Sequence, residues 1–157
     1  MITCTFENEN KASLRHVTID AIIVDNNKIL LVKRSPNFSN GNKWASPGGF
    51  LGRDENASQA IVREVLEETG YNAEVENLFS ITDKPDRKGE DRQNVNLTFL
   101  VKALEKVSEH DHEISETHWF ELDKLPPEDD FAFDHYNRIK LYIKYLSEKF
   151  NLPVMES

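Results

Sequence analysis

An α+β fold, with a mixed β-sheet between helices, is predicted by three features of the sequence. Stretches rich in β-branched residues and helical patterns follow in the order strands, helix, strands, helix, which covers both faces of one sheet. Two stretches, 56–69 and 134–150, repeat apolar residues at helical spacing. The chain of 157 residues is long enough for one domain with a proper core and short for two, so a single domain over 1–157 is expected.

The elements follow in order. Residues 1–15 are polar and read as an irregular N-terminal arm or edge element. HVTIDAIIVD (16–25) and ILLVKR (29–34) are separated by Asn26-Asn27, which tolerate a tight turn, so the pair reads as a hairpin. His16 is a lone histidine at a strand start and reads as structural. Lys33 and Arg34 end the second strand, facing either phosphate or solvent. Residues 35–47 (SPNFSNGNKWASP) form a loop, and Trp44 in it either stacks on a base or plugs the edge of the core. Pro47-Gly48-Gly49 lets the backbone approach a ligand before a helix over 56–69 begins. Ile61, Val62, Val65 and Leu66 form its apolar stripe, and Gly70 its C-cap. Strands are expected at 73–82, 93–104 and 117–122, with a charged loop at 83–92 and a mobile acidic one at 105–116. The last helix, 134–150, would bury Tyr136, Ile139, Ile143, Leu146 and Phe150.

Composition narrows the function. Apolar residues make up 38% and charged residues 30%, as in ordinary soluble domains. No apolar run reaches the length of a membrane span, and MITCTFENENK lacks the regions of a signal peptide. Cys4 alone supports no internal disulfide framework and suits a reducing cytosol, so a cytoplasmic protein with no membrane partner is expected. A formal charge of −9 argues against nucleic acid as a partner. It also means that phosphates handled here need a cation beside them.

That cation has candidate ligands. On the 56–69 helix Glu64, Glu67 and Glu68 fall at i, i+3 and i+4, on one face. Like charges at this spacing cost a few tenths of a kcal/mol per pair, roughly, so the cluster calls for a counter-charge. Oxygen-only ligands on a rigid element suit magnesium or manganese, and the lack of a nearby His or Cys argues against zinc. A merely solvated Glu-rich face is the alternative.

The frame around these glutamates is more specific. Gly49, Glu55, Arg63-Glu64, Val65, Glu67-Glu68 and Gly70 stand in the register G-x5-E-x7-R-E-U-x-E-E-x-G-U, with U aliphatic. This stretch, 49–71, resembles the signature box of the Nudix hydrolases, and Tyr71 is its one departure, at a position that packs rather than reacts. The resemblance extends over about 16–150, with WFELDKLP as the closing segment and AFDH (132–135) as the lead into the last helix. It implies an α/β/α sandwich and metal-dependent hydrolysis of a nucleoside diphosphate linked to another group. Mg2+, with Mn2+ as substitute, would be held by Glu64, Glu67, Glu68 and the carbonyl of Gly48. Arg63 would orient a neighbouring glutamate, and Glu55 would lie near the metals as auxiliary ligand or base. Outside the box Glu113, six residues before Trp119, is the first choice for base or further ligand, and Glu116 the second.

Pro85, fourteen residues beyond Tyr71, is similar to a proline of the ADP-ribose pyrophosphatase branch. The substrate expected from this resemblance is ADP-ribose, giving AMP and ribose 5-phosphate. Arg34, Trp44, Pro85, Arg87, Lys88 and Arg92 are the expected substrate contacts, and a homodimer is expected by analogy. A mutator-T-like nucleoside triphosphate pyrophosphohydrolase is the rival enzyme. A non-catalytic nucleotide sensor is the rival of another class, against which the complete acidic box stands.

Overall fold

The computed structural model describes residues 2–87 and 92–156. In chain order the elements are β1 (Ile2–Thr5), β2 (Lys11–Leu14), β3 (Val17–Asp25), β4 (Lys28–Arg34), β5 (Trp44–Ala45) and β6 (Gly48–Phe50). They continue with α1 (Ala57–Thr69), β7 (Tyr71–Thr82), β8 (Val95–Lys106), β9 (Ile114–Glu121), α2 (His135–Glu148) and β10 (Val154–Glu156). A single 3-10 turn, Glu128–Asp130, precedes α2.

β3 is the strand on which the sheet is assembled. Strand alternation sends Ile19, Ala21 and Ile23 to one face and Ile22 to the other, all four buried. β8 runs parallel to it from Val17↔Val95 to Ile23↔Val101. β7 lies antiparallel on β8, and β10 closes that edge parallel to β7. On the opposite edge the expected hairpin forms, but β4 stays with β3 only at Val24↔Ile29 and Asp25↔Lys28. The two strands then part like a wedge. β4 continues with β9 and β5, while β6 takes the vacated edge of β3, pairing Asp20 with Gly48. The segment between Trp44 and Phe50 therefore crosses the mouth of the wedge. That crossing positions the site.

The helices cover the two faces, giving the expected α+β sandwich. α1 buries Ala60, Ile61 and Val65 against Ile19, Ala21, Ile23, Leu30, Phe99 and Val101. α2 buries Ile139 among Ile22, Ile29, Leu31, Phe79, Leu122 and Phe131. Each fully buried Ile or Val contributes about 1.5–3 kcal/mol. α1 starts at a capping box: Asn56 Oδ1 accepts from the Gln59 N–H at 3.0 Å, and Gln59 Oε1 accepts from the Asn56 N–H at 2.9 Å. Such caps stabilise a helix by about 1 kcal/mol. Gly70 ends it at φ 76°, where a Cβ would also strike the carbonyl of Ser108.

Several expectations need correction. The N-terminal arm is no irregular segment but a hairpin of β1 and β2, registered from Ile2↔Leu14 to Thr5↔Lys11. Its strands are mostly exposed, so no burial pattern marked them in the sequence. β5, β6 and β10 have two or three residues each, too few to carry a periodicity. Val62 and Leu66 are half-buried rather than core, and Leu146 is exposed, because the sheet covers only part of each apolar stripe. Among the described residues no helix is long and apolar enough to cross a membrane.

Candidate active site

A cleft of about 590 Å3 opens where α1, β6, the β8–β9 connection and the lead into α2 meet. This size suits a nucleotide-sized ligand. One wall is acidic. Glu64, Glu67 and Glu68 enter it from α1, and Asp111 and Glu113 from the β8–β9 connection. That connection is tied to the helix end by backbone bonds: the Val107 N–H donates to Gly70 O at 2.8 Å and the Asp111 N–H to Glu67 O at 2.8 Å. The Asp111 Oδ1 in turn accepts from the Glu113 N–H at 2.9 Å.

Arg63 organises this wall. Its Nε and Nη2 donate to the two oxygens of Glu55 at 3.0 and 2.8 Å, and Nη1 donates to Glu64 and Glu67 at 2.9 Å each. The guanidinium, then the Gly52 N–H, hold the Glu55 carboxyl below its ordinary value. Glu64 behaves in the opposite way: burial raises it against the pull of Arg63, and the Glu67 and Glu113 charges add to the rise. Glu68 is 5% exposed, and burial pushes it well above the usual carboxylate range despite the Gly48 N–H that donates to its Oε2 at 2.8 Å. Glycine is required at position 48, where a Cβ would collide with the Ile19 carbonyl, while a Cβ on Gly49 would push the Glu64 carboxylate aside.

The cleft also has basic and aromatic lining. Arg34, Arg87 and Arg92 line it. Arg34 stacks on Phe133 at 5.7 Å and donates through Nε to Ser39 O at 2.7 Å, while Arg92 lies over Phe50 at 5.6 Å. Arg87 is held by Asp134, Nε to Oδ2 at 2.8 Å and Nη2 to Oδ1 at 2.7 Å. Asp134 also accepts from Arg138 Nη2 at 2.7 Å, and Arg138 Nη1 continues to Asp20. Asp20 accepts from Asn96 Nδ2 at 2.8 Å, so a buried chain of charge runs from the cleft to β3 and β8. Burial would raise Asp134, but Arg87 and Arg138 outweigh it and hold the carboxyl well below the usual range.

The sequence-predicted residues divide accordingly. Gly48, Arg63, Glu64, Glu67, Glu68, Glu113, Arg34, Arg87 and Arg92 all line the cleft. Glu55 stands just behind, holding Arg63. Glu116 lies elsewhere, paired with Lys33 at 3.7 Å, and Lys33 itself faces the Trp44 ring rather than the cleft. Trp44 takes a packing role in place of base stacking, because its pairing with Lys33 sets the ring against Phe120 at 4.8 Å and outside the cleft. Pro85 is an exposed turn residue away from the cleft lining. Lys88 lies outside the described residues. Tyr71, the departure from the box, packs edge-on against Trp119 at 6.2 Å.

Sequence reasoning missed Asp20, Asn96, Asp111, Asp134, His135 and Arg138. One cue for Asp134 and His135 is AFDH, the lead into the last helix. Asp20 sits in the apolar stretch VTIDAIIV, which signals a buried charge with a partner, whereas Arg138, in HYNRIKL, carries no such signal.

A glutamate cluster aligned by one arginine, in a cleft also lined by three further arginines, suits hydrolysis of phosphoanhydrides. The sequence profile of the NUDIX domain matches residues 14–142, most of the chain, which belongs to that family and is a pyrophosphohydrolase. It is 35% identical over 129 residues to an ADP-ribose pyrophosphatase of Methanocaldococcus jannaschii, an overlap covering 82% of this chain and 73% of that one. The fold is similar to a NUDIX hydrolase from Nitrosomonas europaea at TM-score 0.80, with 23% identity over 99% of this chain and 92% of that one. It is also similar, at TM-score 0.64 and 28% identity, to a bifunctional NMN adenylyltransferase/ADP-ribose pyrophosphatase from Francisella tularensis. That structure holds AMP and a Mn ion, and the overlap covers 85% of this chain and 43% of that longer one.

Nudix hydrolases generally use divalent metals, and the donor chemistry here fits one. The wall offers only hard oxygen donors, and burial together with like charges raises Glu64 and Glu68. Among the described residues no three acidic, His or Cys side chains converge on a common point in this arrangement, because Arg63 draws Glu64 and Glu67 to itself.

Proposed function

We infer that the protein hydrolyses ADP-ribose to AMP and ribose 5-phosphate in the presence of Mg2+, with Mn2+ as a substitute. The observation that carries this reading is the 35% identity, over 82% of the chain, to a protein named for that activity. The cleft supports it: it is lined by both the acidic cluster and three arginines, which suits a pyrophosphate bound with a cation.

Water adds to one phosphorus, the bridging P–O bond breaks, and one proton must leave the water. A divalent cation held by Glu64, Glu67, Glu68 and the carbonyl of Gly48 would neutralise phosphate charge and acidify the attacking water. The chain's own residues do the rest. Arg63 fixes the directions of Glu64 and Glu67, and Glu55 fixes Arg63. Gly48 and Glu68 hold each other through the Gly48 N–H. Glu113, exposed at the rim of the acidic wall, takes the proton as general base. Arg34, Arg87 and Arg92 orient the phosphates and the terminal ribose.

The test is a product assay with Mg2+, offering ADP-ribose, NADH, diadenosine polyphosphates and deoxynucleoside triphosphates in parallel. AMP with ribose 5-phosphate, at the highest kcat/KM, is expected. Monophosphate with pyrophosphate from a triphosphate would overturn the reading in favour of the mutator-T-like activity. Tight binding with no turnover would make the protein a sensor.

A further inference from the structure

His135 opens α2 at the floor of the cleft and is 6% exposed. Its Nδ1 faces the backbone N–H of Ser46 at 3.0 Å. A backbone amide can only donate, so Nδ1 must carry the lone pair and the ring proton must sit on Nε2. Among the described residues Nε2 has no hydrogen-bond partner, and it is absent from the unsatisfied atoms sealed in the interior. The N–H therefore opens onto the cleft that the ring lines. A buried donor presented this way, with its tautomer set by the main chain, is suited to an acceptor on a ligand.

The surroundings name the acceptor. Phe133, on which Arg34 stacks, packs on the His135 ring at 5.8 Å. Asp134, next in sequence, clamps Arg87. Two guanidinium groups at this end of the cleft select an oxygen-rich, anionic part of a ligand. The Ser46 contact also links this donor to the acidic wall. Ser46 is tied to α2 through His135, and two residues on Gly48 is tied to α1 through Glu68. Burial holds the imidazole near 4, so the neutral donor persists through the physiological range.

We propose that His135 is a substrate-binding residue whose Nε2–H donates to a phosphoryl or sugar oxygen of the nucleotide substrate. The proposal rests on the pyrophosphohydrolase reading. Two substitutions separate this role from the structural one. His135→Asn keeps an acceptor at the Nδ1 position for Ser46 and loses the Nε2 donor. His135→Gln restores a donor at the Nε2 position and gives up the Ser46 acceptor.

The comparison uses whichever substrate wild type turns over fastest, so that failure of the ADP-ribose reading appears in wild type and failure of this proposal only in the variants. His135→Asn should keep a near-native Tm and raise KM about tenfold or more with a smaller change in kcat. His135→Gln should lower Tm yet return KM towards wild type. Inhibition by each of that substrate's two products (AMP and ribose 5-phosphate for ADP-ribose) then tells which half carries the acceptor, one of the two weakening in His135→Asn. Nitrogen-15 spectra of the free protein should show the His135 ring protonated at Nε2, the signal being assigned by its loss in the variant. Unchanged KM and unchanged inhibition by both products in His135→Asn would overturn the proposal, as would a ring protonated at Nδ1.

Discussion

Arg138 is 2% exposed and its guanidinium is shared between Asp20 and Asp134, whose side chains are 9% and 18% exposed. Replacing it by methionine, of similar length but uncharged, strands these carboxylates unequally. Asp134 retains Arg87 through two bonds of 2.7 and 2.8 Å, while among the described residues Asp20 retains only Asn96 Nδ2 at 2.8 Å. Breaking a buried pair by removing one partner costs about 3–5 kcal/mol. For a chain of this length each kcal/mol lowers Tm by about 2–4 °C, so Arg138→Met should melt on the order of 10 °C below wild type. Most of that cost belongs to the stranded Asp20 charge rather than to the lost contact. Adding Asp20→Asn to Arg138→Met should therefore recover stability instead of losing more. Thermal and urea unfolding of wild type, both single variants and the double variant measure the cycle. A single variant within about 2 °C of wild type, or a double variant as poor as the two losses added, would refute the reasoning.

Two other predictions follow from the site. Glu113→Gln should lower kcat by about two orders of magnitude or more, as loss of a general base does, while Glu116→Gln should change it less than about twofold. Equal kinetics for the two variants at saturating Mg2+ would remove Glu113 from the mechanism. The third concerns acid. The folded His135 titrates near 4 whereas the unfolded imidazole titrates near 6.5, so the unfolded chain takes up the proton first as pH falls. Its contribution is complete above about pH 6.5 and is lost towards pH 4, a loss on the order of 3 kcal/mol. Asp134, held low, gives a contribution present above its unfolded value and lost only below about pH 4. Glu64 and Glu68, held high, act in the opposite sense. Urea denaturation between pH 7 and pH 4 therefore isolates His135 by difference: stability should fall more, or rise less, in wild type than in His135→Asn. Parallel curves for the two proteins would exclude His135 as a source of the pH dependence.

What was legible in the sequence was local. Glu64, Glu67 and Glu68 share a face because helical periodicity puts them there, and Gly70 ends that helix through a left-handed cap. The strands of the sheet could be found because burial of one or both faces repeats along them. The two-layer covering of the sheet followed from the order of elements.

What the tertiary structure alone decided was non-local. Arg138 and Asp20 meet across the core, and His135 meets Ser46, at separations no periodicity reports. The parting of β3 from β4 admits β6 and brings Gly48 to Glu68, yet β6 has three residues and no pattern of its own. The packing of Trp44 on Phe120 and the exposed position of Pro85 are non-local in the same way: whether a loop residue faces a ligand or a neighbour depends on partners that arrive from distant strands. Helical and strand spacing place a residue on a face. Only packing decides what that face meets.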